Sequence, residues 1–376
     1  MRIGIDVFSL DKPGGNYGVG MGIYAWSLLP ELIKQGKDHQ FIIFANKDNK
    51  DLIPLKENVT ICVSPISNKY RFLRIIHEQL YLPFQFFRNK LDIIHFLGIN
   101  ISLLLSNRSI ITIHDLMWKY YYDMGNPSPK FIYYRLISPI SIKRSKGIIT
   151  VSRFVAKEIG SEYMRTINVY PIHHGPGDCV KPSINDISHY AQKYNFKYIY
   201  TVTTSMPHKN LKVLLEAFLK IKRNNLFIGK LLITGQLKGN FHEKTLKFIT
   251  DNHLERDIIL TGFIPSKEKA YCYQNAFLFV FPSLYEGFGI PLLEAMNLGV
   301  PILAANSASL PEVGGDACIY FDPNSSDNLF DKITHLMNDT KKQKEMIEHG
   351  KAKSETYSWE KAAKETLQAY KNVFKF

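Results

Sequence analysis

The sequence predicts a two-domain α/β protein, each domain a parallel sheet covered by helices on both faces. Three observations carry that expectation. At 376 residues the chain is too long for one ordinary compact core. Short β-branched or aromatic runs alternate with longer stretches of helical periodicity, the pattern of buried parallel strands joined by crossover helices. The alternation runs through the chain twice, on either side of a polar segment containing Gly and Pro, Gly175-Pro-Gly-Asp-Cys-Val-Lys-Pro182. The expected domains are residues 1–178 and 179–357, with 358–376 returning to the first.

In the first half, strands are expected at Arg2–Phe8, Phe41–Ala45, Val59–Val63, Ile93–Leu97, Ile110–Ile113 and Ile148–Val151. In the second half they are expected at Tyr198–Thr203, Lys230–Thr234, Asp257–Thr261, Ala276–Phe281, Val300–Ala305 and Cys318–Phe321. Helices fill the intervals. Asn210–Lys222, for example, places Leu211, Leu214, Leu215 and Phe218 on one face. The last helix, about Ser358–Phe374, carries Trp359, Ala363, Leu367 and Tyr370 on one stripe, which needs a surface to cover it.

Composition narrows the function. With 45% hydrophobic and 22% charged residues the chain is neither disordered nor collagen-like. Its four cysteines, Cys62, Cys179, Cys272 and Cys318, form no C-x-x-C pair, so neither a cysteine zinc site nor a disulfide framework is expected. The start, MRIGIDVF, enters a strand-like run without the features of a secretory leader. The longest apolar runs are strand-sized, far below the ~18 residues of a membrane span. A cytoplasmic protein is expected.

The formal net charge is +13 and is unevenly spread. Residues 1–185 hold 23 Lys+Arg against 14 Asp+Glu, whereas residues 186–376 hold 24 against 20. A basic first half suits anionic partners. Two stretches interleave cations with aromatics: Lys69-Tyr-Arg71-Phe-Leu-Arg74 through Arg88-Asn-Lys90, a helical stretch kinked near Pro83, and Lys130–Lys146, with Tyr133, Tyr134, Arg135, Lys143 and Arg144. Such stretches suit peripheral contact with an anionic membrane, on its inner face, or a phosphorylated acceptor. The alternative is that the aromatics are core and the cations merely solvated. Stacking on single-stranded nucleic acid is the lesser option, and no nucleic-acid partner is expected.

The richest motif is Phe279-Val-Phe-Pro-Ser-Leu-Tyr-Glu-Gly-Phe-Gly-Ile-Pro-Leu-Leu-Glu-Ala-Met-Asn-Leu-Gly299. A buried strand ends at Pro282, a loop carries Glu286-Gly-Phe-Gly289, and a helix opens with Pro291 in its first turn, where a missing N–H costs nothing. Gly299 closes that helix. The N–H groups of Phe288, Gly289 and Ile290 are then expected at a helix start on the C-terminal edge of a parallel sheet, a place that favours anions. Glu286 precedes this start and Glu294 lies about one turn inside it. A sugar nucleotide satisfies both features, with diphosphate on the N–H groups and hydroxyls on the carboxylates. A Glu in a first turn is also commonly only a favourable dipole charge.

This stretch, PSLYEGFGIPLLEAMNLGVPILA, resembles the signature of the family 4 glycosyltransferases, retaining enzymes of the GT-B fold with two Rossmann-like domains facing across a cleft. Other landmarks agree in type and order: GVGMGIYAWSLL (Gly18–Leu29), IHDL (Ile113–Leu116), ITVSRFVAKEI (Ile149–Ile159), HKNLKVLLEAF (His208–Phe218), TGFIP (Thr261–Pro265), SLPEVGGDA (Ser309–Ala317) and SWEKAAKETLQAYKNV (Ser358–Val373). The resemblance spans nearly the whole chain and is weakest at about residues 46–92. It implies that Glu286 binds donor-sugar hydroxyls, Glu294 the ribose, and the backbone of Phe288, Gly289 and Ile290 the diphosphate. It implies that Lys209 binds phosphate, that Phe263 and Ile264 line the base pocket, that the Gly20 and Gly22 loop faces the phosphates, and that His114 sits beside donor sugar and acceptor.

The chain departs from many relatives in two places. Thr203-Thr204 stands where they carry a Gly-Arg pair, and His208 where others have Arg. Arg153 is a candidate replacement. The glycines Gly14, Gly15, Gly18, Gly20 and Gly22 let backbone approach a phosphate, but their spacing does not fit a dinucleotide fingerprint. Asp115 either orients His114 or caps the next helix.

The expected reaction is transfer of a hexose from a nucleotide diphosphate sugar to a lipid-linked or lipopolysaccharide glycan acceptor, with retention of configuration. Gly20-x-Gly22-x-Tyr24 and His208-Lys-Asn210 resemble mannosyl-transferring members, which favours GDP-mannose over UDP-glucose or UDP-N-acetylglucosamine. No cofactor is expected. No Asp-x-Asp occurs, so metal independence is expected. The competing readings are an epimerase or phosphorylase on the same fold and a non-catalytic basic binding subunit.

Overall fold

The computed structural model describes residues 1–10, 19–66, 70–99, 101–123, 129–177 and 182–374. Gly14, Gly15, Gly18, Lys69 and residues 178–181 of the expected break lie outside the described residues. The chain divides into two compact units: Met1–Gly175 with Ser358–Phe376, and Pro176–Tyr357.

The first unit holds seven strands, β1 (Arg2–Asp6), β2 (Gln40–Ala45), β3 (Val59–Val63), β4 (Ile93–Phe96), β5 (Ser109–Ile113), β6 (Gly147–Thr150) and β7 (Val169–Pro171). All pair in parallel, in the order β3-β2-β1-β4-β5-β6-β7. The central strands β4, β5 and β6 are buried along their whole length because helices cover both faces, which is why they read as continuous apolar runs. Strand order reverses between β1 and β4, and that places a topological switch point there. The helix Trp359–Val373 packs on Val19–Gln35 within this unit, burying Ala363, Leu367 and Tyr370. Ser358 caps it by accepting the Lys361 amide at 3.1 Å.

The helical stretch expected to kink near Pro83 runs Arg71–Ile76, His77–Tyr81, Leu82–Arg88. Its middle piece is a wide turn in which the Leu82 amide reaches back five residues to the His77 carbonyl. Pro83 follows immediately and has no N–H to continue the ladder, so the irregularity sits just before it.

The second unit holds β8 (Tyr198–Val202), β9 (Lys230–Thr234), β10 (Ile258–Gly262), β11 (Leu278–Phe281), β12 (Ile302–Ala305) and β13 (Cys318–Phe321), all parallel in the order β10-β9-β8-β11-β12-β13. The order reverses between β8 and β11, so the loops that follow these two central strands diverge at a second switch point. Tyr198, Tyr200, Tyr273, Phe279 and Phe281 fill the core beside them.

Candidate active site

In the second unit the loop after β11 carries Glu286 and the loop after β8 carries Lys209. They meet at the switch point. Lys209 Nζ lies 2.6 Å from Glu286 Oε1, and the two side chains are 16% and 13% exposed. The Leu284 amide donates to the His208 carbonyl at 2.7 Å, tying the loops together, and Lys209 Nζ stands 5.5 Å from the Phe281 ring centroid. Burial alone would push the Glu286 carboxyl up. The Lys209 ammonium, through its charge and its hydrogen bond, outweighs it and holds the carboxyl below its ordinary value.

His208 is buried, and burial reinforced by the Lys209 charge drives its pKa down to about 4. It is neutral at physiological pH, so it does not supply the positive charge of an arginine at this position. Arg153 lies in the other unit, at the first position of the helix Arg153–Tyr163.

The helix Ile290–Leu298 begins as the sequence motif expects. Gly289 precedes it at φ 100°, with Pro291 in the first turn, and Gly299 ends it in a left-handed conformation. A Cβ on Gly289 would sit 2.8 Å from Leu310 Cδ2, so both backbone angle and space demand glycine here. Phe288 is buried edge-on against Tyr357. Ser309, fully buried in the loop after β12, donates to the carbonyls of Glu286 and Phe288, each at 2.9 Å. One hydroxyl proton serves both acceptors and thereby pins the loop that carries Glu286. Sequence reading passed over Ser309 as a role, although it opens the SLPEVGG landmark.

Glu294 lies in that helix with its side chain 2% exposed. Its Oε1 takes the Lys269 ammonium at 2.8 Å and its Oε2 the Tyr273 hydroxyl at 3.1 Å. Gly177 lies directly over it, so close that any Cβ there would collide with Oε1. The carboxylate expected at a ribose therefore has both oxygens engaged within the protein. Phe263 and Ile264, at the end of β10, part company: Phe263 is 71% exposed, whereas Ile264 is core. An exposed aromatic face can stack a base.

In the first unit His114 follows β5. Its Nε2 lies 3.1 Å from the Leu97 carbonyl, which can only accept, so Nε2 carries the proton and Nδ1 keeps its lone pair. Desolvation pushes its pKa down to about 4, against the opposing Leu97 bond. The ring of Tyr24 stands edge-on at 4.8 Å. Behind it runs a buried network: His95 bonds Tyr370 at 2.6 Å and Thr112 at 2.8 Å, and Thr112 bonds Tyr24 at 3.3 Å. This network links the last helix to β4, β5 and Val19–Gln35. Asp115 accepts the Met117 amide at 2.9 Å, which makes it a cap for Met117–Asp123. Gly20 and Gly22 lie in the first turn of Val19–Gln35, with open space where a Cβ of Gly20 would stand. Among the described residues no three His, Cys, Asp or Glu side chains converge as metal ligands would.

Comparison with known proteins agrees with this architecture. The family model described as Glycosyltransferase Family 4 matches residues 19–175, and that described as Glycosyl transferases group 1 matches residues 185–353. The chain is 29% identical to the O-antigen chain mannosyltransferase B of Escherichia coli, over 94% of this chain and 96% of that one. It is 26% identical to the O-antigen chain mannosyltransferase RfbU of Salmonella typhimurium, over 62% of each. Among solved structures it resembles sucrose-phosphate synthase from Thermosynechococcus elongatus, with TM-score 0.78, 16% identity and 99% of both chains covered. It also resembles WaaG, described as a glycosyltransferase involved in lipopolysaccharide biosynthesis, with TM-score 0.73, 12% identity and 100% of both chains covered. The two parallel-sheet Rossmann-like units are those of the GT-B fold, and the chain belongs to the family 4 glycosyltransferases, enzymes that transfer a hexosyl group.

Proposed function

We propose that this enzyme transfers mannose from GDP-mannose to a growing, lipid-linked O-antigen-type glycan, with retention of configuration, without a metal ion or other cofactor, at the cytoplasmic face of a membrane. The observation that carries the reading is the Lys209–Glu286 pair at the switch point between β8 and β11, beside the start of Ile290–Leu298. A lysine and a helix start suit a diphosphate leaving group, and a carboxylate 13% exposed suits sugar hydroxyls. The O-antigen mannosyltransferases among its relatives support mannose as the sugar.

As the bond between sugar and diphosphate lengthens, negative charge grows on the leaving oxygens. Lys209 and the amides of Phe288, Gly289 and Ile290 stabilise it. One aimed donor of this kind is worth about 3 kcal/mol. In the resting enzyme Glu286 neutralises Lys209, and bound donor takes over part of that role. His114, neutral with its Nδ1 lone pair available, accepts a hydroxyl proton in a hydrogen bond rather than contributing charge. Glu294 holds its place by Lys269 and Tyr273 and offers its remaining lone pairs to the ribose, while Phe263 stacks the base and Ile264 backs it.

The test is a thermal-shift screen of GDP-, UDP- and ADP-sugars followed by turnover with an acceptor glycan. A ligand at about 100 times its dissociation constant adds about 2.7 kcal/mol. GDP-mannose is expected to stabilise and turn over, and Glu286→Ala to abolish turnover while the fold survives. Stabilisation by UDP-sugars alone would overturn the donor, and unchanged Glu286→Ala turnover would overturn the site.

A further inference from the structure

The first unit carries an exposed face that is both apolar and basic. Twelve of the 25 exposed large apolar side chains among the described residues fall in three segments, 70–87, 103–104 and 132–140. In the helical run they include Phe72, Ile76, Leu80, Phe84 and Phe87, spaced three to four residues apart on the outward side. The inward side is fixed by different residues. His77, fully buried, contacts Ser64 at 3.0 Å and Asp6 at 3.4 Å and stacks on Phe8, while Leu82 and Phe86 enter the core. The outward apolar residues are thus not strays from a poorly seated helix.

The three segments share one side of the sheet. They form the β3–β4, β4–β5 and β5–β6 connections, and right-handed crossovers running in the β4-to-β6 direction all cover the same face. Gln79 joins the first to the second: its amide donates to the Ile101 carbonyl at 2.8 Å, and its carbonyl accepts the Leu103 amide at 2.9 Å. That fixes Leu104, 70% exposed, beside the helical run. The turn Leu103–Arg108 packs in turn on the helix Pro129–Arg144, which exposes Leu136.

Charge identifies the occupant. Residues 70–90, 101–108 and 129–146 contain ten Lys and Arg and a single acid, Glu78, which is buried. Arg88, Lys90, Arg108, Lys143 and Arg144 are exposed. A protein partner that matched this apolar area would also have to be strongly acidic, whereas an anionic bilayer offers apolar interior and negative headgroups over an unbounded area. No helix among the described residues is long and apolar enough to cross a membrane, so contact is with the surface.

We propose that this face seats the enzyme on an anionic lipid bilayer, with Phe72, Leu80, Phe84, Phe87 and Leu104 entering the headgroup boundary and Arg88, Arg108, Lys143 and Arg144 meeting lipid phosphates. The proposal stands independently of the donor. The full chain is tested by co-sedimentation with phosphatidylcholine vesicles that contain either no charged lipid or about 30 mol% phosphatidylglycerol. Wild type is expected to bind the anionic vesicles and be released by salt. Leu80→Ser/Phe84→Ser/Leu104→Ser is expected to bind at least about tenfold more weakly. Arg88→Gln/Arg108→Gln is expected to lose about fivefold per cation on anionic vesicles only. Unchanged nucleotide-induced thermal shifts in both variants confirm the fold and keep this test separate from the donor site. Failure of wild type to bind, or equal binding by the variants, overturns the proposal. So does a lipid-free dimer in sedimentation velocity that the apolar variant converts to monomer, because a second copy then covers the face.

Discussion

Replacing Lys209 by Met keeps most of the stem and removes the ammonium 2.6 Å from Glu286. In the wild type the ammonium outweighs the burial that would otherwise raise the Glu286 carboxyl. Without it burial prevails, and Glu286 either stays charged and unpaired or takes a proton. Breaking a fully buried pair costs about 3–5 kcal/mol. Both side chains here keep some exposure, 16% and 13%, which lowers the expected loss to about 2–3 kcal/mol near pH 8. With a urea slope of about 2.5 kcal/mol/M for a unit of this size, the midpoint falls by about 1 M.

The pH dependence tests the cause. A carboxyl held below its unfolded value contributes stability above about pH 4.3, and that contribution is lost as pH falls through the folded value. The variant has the opposite slope, because its raised carboxyl is neutral and tolerated at about pH 5 but charged and stranded at about pH 8. The gap between wild type and Lys209→Met should therefore narrow on acidification. Trp26, Trp118 and Trp359 all lie in the first unit, so tryptophan fluorescence reports that unit, and the difference between its transition and far-UV circular dichroism reports the second. An equal deficit at both pH values, or a larger one in acid, refutes the electrostatic reasoning.

Acid should loosen the first unit early. Burial depresses His95 and His174 to about 3 and His114 to about 4, so between those values and about 6.5 the unfolded chain binds protons that the folded unit does not. Stability then falls with falling pH by about 2–3 kcal/mol per pH unit from His95 and His174 together, read as a drop in the fluorescence midpoint between about pH 6.5 and 4.5. Ser309→Ala should cost about 1–3 kcal/mol in the second unit and lower kcat/KM, because the carbonyls of Glu286 and Phe288 lose their shared donor; urea melts and turnover check it. Gly289→Ala combines a φ of 100° with the Leu310 collision and should cost about 1–3 kcal/mol and weaken nucleotide binding, measured by melting with and without GDP.

The sheets were legible because buried parallel strands leave short apolar runs, as at Val59–Val63, Lys230–Thr234 and Cys318–Phe321, whose bounds coincide with β3, β9 and β13. β7 was not: Val169–Pro171 is three residues long and ends in proline, too short for any periodicity to register. In the site, the start of Ile290–Leu298 could be read from Gly289 and Pro291, since helix ends have local signatures. Pairings across the chain had none. Lys209 and Glu286 are 77 residues apart, and nothing local to either announces the other. The same holds for the grip of Lys269 and Tyr273 on Glu294 and for the His95–Tyr370 bond. A tyrosine on the buried stripe of the last helix does demand a hydroxyl partner, and that was the one available signal for the latter. The neutrality of His208 follows from burial, which its neighbours in sequence do not reveal.

Donor binding is expected to bring a diphosphate to Lys209 where Ile290–Leu298 begins. Isothermal titration of GDP and GMP against wild type and Lys209→Ala tests this most directly. GDP should bind the variant at least about tenfold more weakly, and GMP, which lacks the second phosphate, about equally. Unchanged GDP affinity, or the same loss for both nucleotides, would contradict it.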